Sequence, residues 1–133
     1  MSGGAGDPPR LQRPPRMAAL ARLPVFLALE GKRAVVAGDG PPVAWKAELL
    51  SAAGAAVALF AEHPCADVRA VATQPPRGAI VLHQRAWRVE DFAGAAIAVG
   101  GFDGDREAQY FADAARAAGV PVNVIDKLSL IHI

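Results

Sequence analysis

Gly38-Asp39-Gly40, Glu62 and Asp126 are the residues of this 133-residue chain whose types and spacing could do chemistry. The glycine turn stands between a short apolar run and a longer helix-forming stretch, the context in which such a turn has a physical meaning. Gly38 permits a tight turn, and Gly40 lets a pyrophosphate approach the backbone. The helix that follows offers free N–H groups and a partial positive charge to that anion. The third small position of a G-x-G-x-x-G pattern falls on Val43, which is expected to push the helix slightly away from the strand; Ala44 beside it is small. Pro41 and Pro42 are tolerable at a helix start, at the cost of donors for phosphate. Gly38, Asp39, Gly40, Pro41, Pro42 and Val43 are therefore candidate cofactor-binding residues. The plainer alternative is a simple βα turn.

Glu62 stands 22 residues after Gly40. In dinucleotide folds an acidic residue about 20 residues on, at the end of the second strand, accepts hydrogen bonds from the adenosine ribose. A carboxylate there disfavours a 2′-phosphate, so NAD is expected rather than NADP. A solvated turn residue is the alternative. Asp126 follows the fifth apolar run, and a carboxylate at that edge of a doubly wound sheet faces the ligand crevice. It could accept a proton there, or merely cap a loop. His63 and His83 lack a third ligand for a joint metal site, and His132 lies in an atypical tail. Trp87 and Phe92 read as packing residues. Cys65 is the only cysteine, so neither an intrachain disulfide nor a cysteine metal cluster is possible.

The elements that must position these residues follow a βαβ rhythm. The pattern predicts an extended piece over residues 24–29 and strands over 33–37, 56–60, 79–83, 95–99 and 121–125. Helices are expected over 42–53, from the Pro64 turn to 71, and over 106–118, with a single helical turn at 90–92. Right-handed crossovers then give a doubly wound, Rossmann-like parallel sheet of five strands with helices on both faces. Residues 1–16 carry one large aliphatic, Leu11, among Gly, Pro and Arg, so residues 1–22 are expected to form a disordered extension. Met17 could equally be the start of translation. Residues 23–127 are expected to form the NAD-binding domain. The apolar tail, residues 128–133, fits neither pattern and suggests truncation or foreign sequence.

The composition is 53% hydrophobic and 20% charged with net charge +1, which suits a globular chain and gives no support to a nucleic-acid binder. No apolar run reaches the roughly 18 to 20 residues of a membrane span, and the N-terminus lacks the core of a secretory signal. A cytoplasmic location is expected.

Residues 23–26 (Leu-Pro-Val-Phe), the block from Gly38-Asp39-Gly40 to Leu50, Ala53-Gly54-Ala55, and residues 119–126 (Gly-Val-Pro-Val-Asn-Val-Ile-Asp) together resemble the N-terminal domain of siroheme (sirohaem) synthase. That domain is the precorrin-2 dehydrogenase and sirohydrochlorin ferrochelatase module. The resemblance implies oxidation of precorrin-2 to sirohydrochlorin with NAD, then insertion of ferrous iron as a substrate. It places the phosphate turn on Gly38, Gly40, Pro42 and Val43, further cofactor contacts on Glu62 and His63, and the catalytic aspartate on Asp126. It also implies a tetrapyrrole substrate and a homodimer in the full-length protein. Arg77, Arg85 and Arg88 could meet the carboxylates of a tetrapyrrole, or form a solvated face. The chain departs from the family at Asp39, usually Gly, at Trp45-Lys46, usually Arg-Lys, and in the loop at residues 101–105. A non-catalytic NAD-sensing domain of the same fold is the alternative function; it would not need Asp126.

Overall fold

A computed structural model of the chain describes residues 28–125. Residues 1–27 and 126–133 lie outside it. The expected extension, the Leu-Pro-Val-Phe segment, Asp126 and the tail are therefore not placed. Residues 28–31 form a turn in which Lys32 N–H donates to the Leu29 carbonyl, so the described end of the expected extended piece is not a strand.

Five parallel strands make one sheet: β1 (Arg33–Gly38), β2 (Ala56–Phe60), β3 (Ile80–His83), β4 (Ala95–Gly101) and β5 (Val122–Val124), in the order β3-β2-β1-β4-β5. The connections are α1 (Pro41–Ala52), α2 (Ala66–Thr73), a short 3-10 helix (Val89–Phe92) and α3 (Asp105–Ala117). The order reverses between β1 and β4, the switch point at which open α/β sheets bind ligands beyond their carboxyl ends.

The strands are near-continuous apolar runs because both faces are covered. Alternation along β1 assigns Ala34 and Val36 to one face and Val35 and Ala37 to the other. On the first face they meet Val43, Ala47 and Leu50 of α1 and Val68 of α2. Those α1 positions repeat at helical spacing and form its buried stripe. On the second face Phe92, Phe111 and Ala115 close over Val35, Ala58, Phe60 and Ala98. Helix α3 carries Asp105 and Glu107 in its first turn and Arg116 in its last, each matched to the helix dipole.

The edge of the sheet where strands begin is tied by polar groups. Ser51, fully buried at the end of α1, donates its hydroxyl to the Gly78 carbonyl and accepts the Arg77 N–H. Gly78 N–H in turn donates to the Ser51 carbonyl, and Gly31 N–H to Gly54. Arg77 pairs with Glu30 at this same edge. It therefore lies at the opposite end of the strands from the glycine turn, which removes it as a candidate for a ligand at that turn.

Candidate functional site

At the carboxyl ends of β1, β2 and β4 the chain encloses a crevice of about 280 Å³. Gly38 and Asp39 line it from β1, Glu62 and His63 from the loop after β2, Ala86 and Trp87 from the loop after β3, and Phe102 and Asp103 from the loop after β4. The structure thus brings four sequence-nominated residues, Gly38, Asp39, Glu62 and His63, to one opening.

Gly38 adopts φ +117° and pairs with Gly101 across the switch point. A Cβ on Gly38 would overlap the Gly101 carbonyl, so two bare glycines face each other where the strands diverge. Gly40 caps α1 with φ +108°, a conformation costly for any other residue, although a Cβ there would meet only Pro42 Cδ at 3.6 Å. Backbone dihedrals, rather than crowding, require glycine at this second position.

Helix α1 begins at Pro41, one residue earlier than the sequence pattern predicts, and its hydrogen-bond ladder opens with Ala44 N–H donating to the Gly40 carbonyl. Of the four amides that a helix start leaves without helical partners, the two at Pro41 and Pro42 do not exist. The Gly40 and Val43 amides remain as donors to an anion. The Val43 side chain is 1% exposed and fills the space left by the missing Cβ of Gly101. The bulk expected to push α1 outward is thus received inside the fold. The volume added at the third small position of the fingerprint is taken up by a glycine on the neighbouring strand.

Asp39 does not turn its carboxylate toward the helix start. Its Oδ1 accepts the Cys65 N–H at 2.9 Å, and Cys65 caps α2. The side chain therefore ties the glycine turn to the loop that carries Glu62 and His63, both of which are exposed at the crevice. Pro64, between them and the tie, is buried. The crevice rim also carries Asp103 and Glu107, making four carboxylates with Asp39 and Glu62, and no Lys or Arg stands among its described lining residues. Such a rim offers acceptors to hydroxyl donors.

Sequence reasoning missed Gly101, Phe102, Asp103 and Glu107, and took Trp87 for packing alone. A usable signal was present in Gly100-Gly101, a glycine pair ending the strand that must lie beside the glycine turn. Of the three candidate arginines, Arg85 is bound bidentately by Asp91 at 2.9 Å and lies 4.8 Å from the Phe60 ring centroid. The Asp91 carboxyl is held below the usual carboxylate range, first by its bond to Arg85 and against its partial burial. Arg85 is correspondingly raised by its bond to Asp91. Arg88 N–H donates to the same carboxylate at 2.7 Å. His83 stacks on Phe60 at 4.8 Å, a packing role at the end of β3. Among the described residues no group of three His, Cys, Asp or Glu could hold a metal ion, and no helix is long and apolar enough to cross a membrane.

The Asp91 pair yields a pH expectation. The carboxyl is depressed in the folded protein, so its stabilising contribution is complete above the unfolded value of about 3.9 and is lost as pH falls through the folded value. Asp91→Asn should therefore lower the urea midpoint at neutral pH and flatten its decline below about pH 4. An unchanged acid limb in the variant would remove the pair from acid stability.

The family model described as "Putative NAD(P)-binding" matches residues 25–133. The chain belongs to this NAD(P)-binding family. Its relatives include siroheme synthase of Nitrosospira multiformis, 30% identical over 109 residues, covering 81% of this chain and 23% of that protein. Siroheme synthase of Thiobacillus denitrificans is 40% identical over 114 residues, with 81% and 22% covered. Siroheme synthase 1 of Halorhodospira halophila is 38% identical over 115 residues, with 80% and 22% covered. The chain thus spans under a quarter of the length of these relatives. Among solved structures, a precorrin-2 dehydrogenase, SirC, superposes with a TM-score of 0.57 at 17% identity, covering 71% of this chain and 45% of that one. That likeness establishes the doubly wound fold, and the relatives bear out the resemblance to siroheme synthase.

Proposed function

We propose that the chain is the NAD-dependent precorrin-2 dehydrogenase module of a cytoplasmic siroheme-forming enzyme, with ferrous iron as the substrate of a following chelatase step. The observation that supports the dinucleotide part is the crevice at the switch point, lined by Gly38 and Asp39 of the glycine turn together with Glu62 and His63, with the start of α1 following directly from that turn at Gly40. These residues fit the cofactor. Gly40 supplies an open backbone conformation that no side chain obstructs, and α1 supplies the positive end of a dipole. Glu62 would accept the ribose hydroxyls, with His63 beside it. NAD, when bound, supplies the hydride acceptor.

The tetrapyrrole part is supported by the siroheme synthase relatives. On this reading the substrate would lie toward β4 and β5. Ile125 N–H donates to the Gly100 carbonyl at 2.8 Å and holds the chain at that edge, and Asp126 is the next residue. Asp126 would take the proton that the substrate loses as hydride departs, and homodimerisation would complete the site. The test is equilibrium binding of NAD and NADP to the chain, followed by precorrin-2-dependent NADH formation. NAD is expected to bind at least tenfold more tightly than NADP. A folded chain that binds neither would overturn the reading; NAD binding without any precorrin-2 oxidation, both in this chain and in a version extended beyond residue 133, would favour a sensing domain.

A further inference from the structure

The crevice is lined by aromatic rings as well as by carboxylates, and the glycine fingerprint accounts for neither ring. Trp87 and Phe102 line it together with Glu62. The Trp87 ring is half-buried and touches three others, at centroid distances of 5.5 Å from Phe92, 5.1 Å from Tyr110 and 5.2 Å from Phe111, the last edge-on. The segment that carries it is fixed on both sides, because Asp91 binds the Arg85 guanidinium before it and the Arg88 amide after it. A large π-face is thus held in place at the opening of a crevice rather than sealed inside a core, and little side-chain freedom remains to be lost when a ligand meets it.

We infer that Trp87 is the stacking platform for the purine ring of the dinucleotide. The assignment rests on the dinucleotide reading above and extends it to a residue outside the glycine fingerprint. Position decides which ring of the cofactor is meant. Trp87 shares the crevice with Glu62, which follows β2 and on the reading above takes the adenosine ribose, and its ring is backed by Tyr110 and Phe111 of α3. The base attached to the ribose that Glu62 takes is the purine, so a ring stacked in the same crevice is that one. An aromatic face accepts a purine without a hydrogen-bond code, so recognition here comes from stacking, and ribose recognition from Glu62.

The experiment uses the chain with Trp45, the only other tryptophan, replaced by Phe, so that emission reports Trp87 alone. Trp45 is exposed on α1 and outside the crevice. NAD and AMP are expected to quench the emission saturably, and nicotinamide mononucleotide is not. Trp87→Leu should raise the dissociation constants of NAD and AMP about tenfold, and Trp87→Phe should recover most of that loss. Wild-type affinity in a folded Trp87→Leu variant, or quenching by nicotinamide mononucleotide in place of AMP, would overturn the assignment while leaving dinucleotide binding intact. If Trp87→Leu does not fold, the quenching comparison decides alone. Failure of the parent chain to bind either NAD or AMP would overturn the dinucleotide reading and this assignment together.

Discussion

Gly38→Ala is expected to destabilise the domain by roughly 3–5 kcal/mol. Two costs combine. The backbone holds φ +117°, which an L side chain adopts only under strain, and the added Cβ would press into the Gly101 carbonyl on β4, its carbonyl carbon 2.8 Å away. Neither neighbour can move cheaply, because Gly38 and Gly101 are rungs of the same ladder and Val43 already fills the far side of Gly101. For a domain near 100 residues such a loss corresponds to a fall in melting temperature on the order of 15–30 °C, enough to leave a marginal protein unfolded. Gly40→Ala is the control. Its dihedral strain is similar, but its Cβ meets only Pro42 Cδ, so about 1–2 kcal/mol is expected. Equal melting temperatures for the two variants would show that crowding against Gly101 contributes nothing.

On the proposed function, Asp126→Ala is expected to lower kcat for precorrin-2 oxidation by roughly 10²- to 10⁴-fold, the usual contribution of a positioned general base. NAD affinity should stay within about twofold, since the phosphate turn and Glu62 lie on the β1 and β2 side of the switch point. Asp126→Asn should lose nearly as much rate, because an amide cannot take the proton. Steady-state kinetics beside NAD titration separate the outcomes. A full-rate Asp126→Asn variant would remove the residue from proton transfer, and a parallel loss of NAD affinity would recast it as a structural residue.

Strand placement, helix placement and the sheet covered on both faces were legible because such a parallel sheet writes itself as short apolar runs separated by Ala-rich helices. The glycine turn and Glu62 were legible for the same reason: a turn and a strand end are local features with fixed spacing. Pairings between distant segments were not. Nothing near Val43 says that its bulk is received by Gly101, 58 residues away, and nothing near Asp39 says that its carboxylate reaches the Cys65 amide. Arg85 looked like a free cation until the fold set it against Asp91 and Phe60. Trp87 was judged by its type, as a packing residue, while its place at the mouth of the crevice depends on the crossing of the 3-10 segment over the sheet. Asp126 remains argued from its place after β5 and from the family resemblance.

The knot around Ser51 gives the domain an uneven stiffness. With a hydroxyl and several main-chain amides sewing together the ends at which strands begin, the slowest amide exchange belongs there and in β1. At the opposite ends the bond between Asp39 and the Cys65 amide is exposed to solvent, so faster exchange is expected there. A guest bound in the crevice is therefore expected to slow exchange at the amides around positions 39 and 65 while leaving those around Ser51 as they were.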